Sequence, residues 1–260
     1  MRKVTSRDGT QIAYDLTGRG QVVILVLGAL NSRKSGAKLA KLLSSRFCVI
    51  SFDRRGRGDS TDTTPYAPQR EVEDVAALVD EVGEPVYLYG HSSGAALALE
   101  VAIKLRKKIK RLAIYEVPYA LQKDAIKASK EYDKQLKRLL VSGRKGDAVA
   151  LFIRNVGVSD KQLQAIRRLP MWKGLVGMAP TLAYESAVLG EGHALPTALL
   201  RRISIPTLVM HGGKGAASMR DAAQAISKTI PKAQLRTLDG QTHGVSPKVL
   251  GPVLAEFFSG

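Results

Sequence analysis

The chain has 260 residues, 45% of them hydrophobic and 24% charged, with a formal net charge of +17 at pH 7. That length supports one large core, or a core with an insertion, and needs no disulfide or metal to hold it. A lone cysteine, Cys48, excludes an intrachain disulfide and a thiolate metal cluster, and no apolar run reaches bilayer-spanning length.

Residues 2–17 predict two strands around the turn "RDGT". The continuous apolar run "VVILVL" (22–27) predicts a strand covered on both faces. Residues 33–45 predict a helix, and "FCVISFD" returns as a strand in which Cys48 is expected to be a buried, inert thiol. Val72, Val75, Ala76 and Val79 recur at helical spacing and predict an amphipathic helix between Arg70 and Val82. "VYLYG" (86–90) is a strand, "SGAALALEVAIKL" a helix, and "RLAIYE" (111–116) the next strand. "PTLVMH" (206–211) and "AQLRTL" (233–238) complete the strands. Residues 246–258 close the chain as a helix with Leu250, Val253, Leu254, Phe257 and Phe258 on one face, its first turns weakened by Pro252.

Alternating strands and helices predict an α/β architecture, a mostly parallel eight-stranded sheet covered by helices on both sides. The alternation stops between about Tyr119 and Arg202, where the pattern is helical and lysine-rich. The expected division is therefore a core of residues 1–118 and 203–260, with 119–202 as a helical cap. The N-terminus, "MRKVTSRDGTQIAYDLTG", has no apolar core of signal-peptide length, so a cytoplasmic location is expected. The densest basic run, "KLRKKIKR" (104–111), falls where a helix ends and complements the negative pole of its dipole. No aromatic residues are interleaved with it as a base-stacking surface requires. A solvated basic surface is the expectation, with neither a nucleic-acid partner nor a membrane.

"YLYGHSSGAAL" carries the chemistry. Gly90-His91-Ser92-Ser93-Gly94 fits G-x-S-x-G, with a strand before it and an alanine-rich helix after it. In that context Ser92 sits on a strained turn that lifts its hydroxyl above the sheet edge, and glycines on either side relieve the crowding. The helix behind it aims its first N–H groups at a reacting carbonyl, which makes the Ser93 N–H one donor of an oxyanion hole.

Strand–"GHSSG"–helix, "SFDRRGRGDS" (51–60) and "GQTHGV" (240–245) together resemble the α/β-hydrolase family over nearly the whole chain. The resemblance implies a second oxyanion donor in the loop after the third strand, here Leu27-Gly28-Ala29-Leu30-Asn31. A leucine stands where the family usually has histidine, but a backbone N–H from Ala29 can still serve; the support of the loop is what the departure puts in question. Asp53, Arg54, Gly56, Gly58 and Ser60 match a family turn and are read as backbone punctuation.

Of the four histidines, His91 lies inside the motif with its ring expected under the sheet, His193 in the cap and His211 at a strand end. His243 lies in the loop after the last strand, which also gives the chain order serine, acid, histidine of this fold. The family's usual position for the acid, after "VMHGGK", holds Gly215. Asp221 and Asp239 are rivals, but Glu116 ends the strand after the nucleophile's helix, where some members of the family carry their acid. Glu116 is the preferred assignment. Tyr119, Met171, Trp172, Met178 and Tyr184 are candidates to line a substrate cavity.

The resulting expectation is a serine hydrolase of ester-like small molecules, needing no metal and no cofactor. The same triad also serves lyase and cofactor-free peroxidase chemistry, and the fold also serves as a non-catalytic small-molecule receptor.

Overall fold

The structure, a computed structural model, describes all residues from Met1 to Gly260. Eight strands form one sheet: β1 (Arg2–Thr5), β2 (Gln11–Thr17), β3 (Val22–Val26), β4 (Cys48–Phe52), β5 (Val86–His91), β6 (Ile109–Tyr115), β7 (Thr207–Gly212) and β8 (Ala233–Leu238). Their spatial order is β1-β2-β4-β3-β5-β6-β7-β8. Only the pairings of β2 with β1 and with β4 are antiparallel. The five pairings that run from β4 through β3, β5, β6 and β7 to β8 are parallel.

Successive side chains of a strand point to opposite faces, and the central strands are apolar on both. In β3, Val22, Ile24 and Val26 join one core layer, while Val23 and Leu25 join the other. The first layer is closed by α2 (Pro68–Val82), α3 (Ser93–Leu105) and α10 (Ala217–Thr229). The second is closed by α1 (Ala37–Leu43) and α11 (Pro247–Ser259), through Leu39, Leu43, Leu250, Leu254 and Phe258. Pro252 lies inside α11 without ending it.

Between β6 and β7 the chain leaves the sheet and forms α4 (Lys123–Val141), α5 (Lys145–Asn155), α6 (Asp160–Arg167), α7 (Met171–Gly177), α8 (Leu182–Leu189) and α9 (Thr197–Leu200). A bridge between Ala120 and Ala194 brings the two ends of this insertion together. The insertion has its own apolar cluster, centred on Tyr132, Leu136, Val149, Ile153 and Leu163, against which Ala29 and Leu30 of the sheet-edge loop also pack.

Three local expectations change. The basic run 104–111 does not simply end a helix: α3 stops at Leu105, a single turn spans Arg106–Lys108, and Lys110 and Arg111 belong to β6. Cys48 is half-buried rather than enclosed, and burial raises its thiol pKa. The turn at 53–60 is more than punctuation, because Arg54, Arg55 and Arg57 are all buried with carboxylate partners.

Candidate active site

Ser92 stands between the end of β5 and the start of α3, at φ 57° and ψ −132°, a region L-residues rarely occupy. The surrounding glycines are required by space. A Cβ at position 90 would lie 2.5 Å from the Ala95 Cα, and one at position 94 would lie 2.3 Å from the Val26 carbonyl oxygen. Strand, turn and helix are thus packed too closely for any other residue there.

Glu116 follows β6 directly, next to β5 in the sheet, so it emerges beside Ser92 at the carboxyl edge. It is 1% exposed and has a positive φ of 46°. His243 lies in the loop between β8 and α11. Its Nδ1 is 2.7 Å from Glu116 Oε2, and its Nε2 is 3.1 Å from Ser92 Oγ. The carboxylate fixes the tautomer: Nδ1–H donates to Glu116, leaving Nε2 to accept from the Ser92 hydroxyl. The other Glu116 oxygen, Oε1, accepts the backbone N–H of Gly212 at 2.9 Å. Burial raises the Glu116 carboxyl pKa, but the hydrogen bonds from His243 and Gly212 outweigh it and hold the group below its usual value.

Gly215 takes its meaning from this carboxylate. A Cβ at position 215 would lie 2.5 Å from Glu116 Oε1. The Glu116 carboxylate fills the space beside Gly215, so a side chain there would have to displace it.

The remaining histidines are held elsewhere. His193 pairs with Asp133 at 3.2 Å, and the buried His211 contacts Thr237 Oγ1 at 3.0 Å. His91 is not simply tucked under the sheet; its Nε2 is 3.0 Å from the main-chain oxygen of His243, so the ring braces the loop that carries His243. Tyr115 Oη donates to the Thr242 oxygen at 2.6 Å and braces the same loop. Asp221 pairs with Arg220, and Asp239 is exposed. No group of three or more His, Cys, Asp or Glu is arranged to hold a metal ion.

Ser93, the first residue of α3, follows Ser92, and Gly28, the residue before Ala29, lies against it. A Cβ at position 28 would lie 2.9 Å from the Ser92 Cβ, so the loop after β3 rests directly on the turn that carries Ser92. Of the five cavity candidates, Tyr119 is buried in the core and borders a groove of about 1510 Å³. Ser92, Glu116 and His243 are not among the residues lining that groove. Met171 is 56% exposed, Trp172 is covered by Arg167, and Met178 is half-buried. Tyr184 stacks on Tyr66 at 3.7 Å and donates to Asp62.

Residues 23–248 match the model of the alpha/beta hydrolase family. The chain belongs to the α/β hydrolase family. A crystal structure of an alpha/beta hydrolase from Sphaerobacter thermophilus is 46% identical, with a TM-score of 0.90 over 99% of this chain and all of that one. A thermophilic esterase from Thermogutta terrifontis is 24% identical with a TM-score of 0.76, covering 99% and 97% of the two chains, and shares the fold. Among curated relatives, an uncharacterized hydrolase of Bacillus subtilis, YraK, is 26% identical over 137 residues, half of each chain. The chain spans half the length of that relative, and 41% of a proline iminopeptidase from Pestalotiopsis fici that is 30% identical over 114 residues. No helix of this α/β hydrolase is long and apolar enough to cross a membrane.

The residues that sequence reasoning undervalued are Arg54, Arg57 and Glu185. Arg54 Nη1 donates to the Leu27 oxygen at 3.2 Å, and Arg57 Nη1 to the Gly28 oxygen at 2.9 Å. Three arginines, Arg54, Arg55 and Arg57, crowded into one short turn were the available signal; Glu185 in α8 lies too far along the chain to be read.

Proposed function

We propose that the protein is a serine hydrolase that cleaves a carboxylic ester or lactone through an acyl-enzyme. The observation that carries this reading is the hydrogen-bonded row from Ser92 Oγ through His243 to the buried Glu116. Ser92 Oγ attacks the carbonyl carbon while its proton passes to His243 Nε2, and Glu116 stabilises the imidazolium that forms. The N–H groups of Ala29 and Ser93 hold the oxyanion of the tetrahedral intermediate. Its collapse breaks the C–O bond, and His243 gives the proton to the departing alkoxide. Water then attacks the acyl carbon, its proton passing to His243 and on to Ser92 as the acid leaves.

Residues 119–202 act in this reading as a cap that selects the acyl or alcohol part of a small-molecule substrate. We place the reaction in the cytoplasm, where a chain with one unpaired thiol needs no oxidising compartment. A fluorophosphonate probe tests the central claim. Wild type is expected to be labelled on Ser92 and to turn over a simple aryl ester, and Ser92→Ala to do neither. Wild type without labelling, or labelling that survives Ser92→Ala, overturns the reading.

A further inference from the structure

The loop after β3 lacks a histidine at Leu27, and its backbone is held from behind by charge. Arg54 and Arg57 are 3% and 1% exposed. Arg54 is clamped to Glu71, with Nε to Oε2 at 2.6 Å and Nη2 to Oε1 at 2.8 Å. It also donates through Nη1 to Glu185 Oε2 at 2.9 Å, and Arg57 donates through Nη2 to Glu185 Oε1. Glu185 lies on α8 of the insertion, 131 residues from Arg54 along the chain. It is the one carboxylate in contact with Arg57, whose Nε is buried with no partner.

The carbonyls these arginines hold belong to peptides that matter. In a planar trans peptide the C=O and the following N–H point in opposite directions. A donor on the Gly28 oxygen therefore fixes the direction of the Ala29 N–H, and a donor on the Leu27 oxygen fixes the Gly28 N–H. Asn31 Nδ2 adds a contact to the Ala29 oxygen at 3.0 Å. We propose that Glu185, through Arg57 and Arg54, is a positioning residue that aims the Ala29 N–H at the oxyanion and couples the helical insertion to the oxyanion loop. Buried ion pairs are on balance weak contributors to stability, whereas they hold geometry well when every carboxylate oxygen is engaged. Both Glu185 oxygens are engaged here, one by each arginine.

This inference rests on the hydrolase reading, and the test separates the two. Glu185→Gln alone leaves Arg57 without an anion and is expected to lower the melting temperature, so it is compared with the double variant Arg57→Met/Glu185→Gln. The double variant restores charge balance, Arg54 against Glu71, but leaves the Gly28 oxygen without its arginine. The expectation is a melting temperature above that of Glu185→Gln, a kcat on an aryl ester lower by about tenfold to a hundredfold, and a nearly unchanged KM, a fraction of the loss seen when an oxyanion donor is removed outright. Amide hydrogen exchange over residues 28–31 is expected to speed up in the double variant while α3 stays protected. Arg57→Lys, which keeps the charge but lacks the planar fork whose separate Nη1 and Nη2 reach the Gly28 oxygen and Glu185, is expected to fall between wild type and the double variant in kcat. Recovery of both turnover and slow loop exchange along with stability overturns the coupling and leaves the hydrolase reading standing. If wild type neither labels nor turns over, the hydrolase reading falls, and the exchange rates alone decide whether the arginines hold the loop.

Discussion

At the scale of single residues, the acid decides most. Glu116 is enclosed, ionised and bonded at both oxygens, while Asp221 and Asp239 make no contact with His243. Glu116→Gln preserves the shape but favours the wrong imidazole tautomer. It is expected to lower kcat on an aryl ester by about 10⁴-fold, with Asp221→Asn and Asp239→Asn within a few-fold of wild type. Steady-state kinetics of the three variants check this, and a mild Glu116→Gln beside a dead Asp221→Asn would refute it. The strand–turn–helix context of Ser92 was legible because it is local, spanning a dozen residues of plain apolar pattern. The closeness of Ser92, Glu116 and His243 was not: it joins residues 127 and 151 apart and entered through family resemblance, since no periodicity encodes it.

Among the elements, the loop before α11 shows how neighbours hold a mobile kind of segment still. His91 donates to the His243 oxygen and Tyr115 to the Thr242 oxygen, so two strands brace the loop from beneath. Burial, aided by the nearby His243, pushes the His91 pKa down from 6.5 to about 4. Between those values the unfolded chain binds a proton that the folded chain refuses, so stability falls as pH drops from about 6.5 towards 4, by up to about 3 kcal/mol. His91→Gln removes this dependence. Thermal melts at neutral pH and near pH 5 are expected to show a drop larger by several degrees in wild type than in the variant. The sequence placed the His91 ring under the sheet, but its bond to a loop 152 residues away depends on tertiary packing that local pattern does not carry.

For the whole molecule, the charge is the salient quantity. Arg33, Arg54, Arg55 and Arg57 are buried, and so are Asp53, Glu71, Asp74, Glu116 and Glu185, four cations against five carboxylates. The interior therefore holds none of the positive excess, and the net charge of +17 comes from the outside. Such a surface repels itself in the compact state. Raising sodium chloride from about 10 to about 200 mM, which shortens the Debye length from about 30 Å to under 10 Å, is expected to raise the melting temperature. A fall would mean that exposed ion pairs outweigh the repulsion. The sheet and its helices were readable from apolar runs, and so was the helical character of residues 119–202. The internal arginines were counted with the surface ones, because composition does not distinguish a guanidinium in water from one under a loop.

The fit between Gly215 and Glu116 Oε1 ties two distant positions together. An acid on the seventh strand's loop and an acid after the sixth compete for one volume, so Glu116 would have to move for a side chain at 215 to fit. Gly215→Ala is accordingly expected to disturb the Glu116 carboxylate and to lower activity although it leaves Ser92, His243 and Glu116 in place, which steady-state kinetics on an aryl ester check. A glycine at the first position and a carboxylate at the second are therefore a linked pair in this structure.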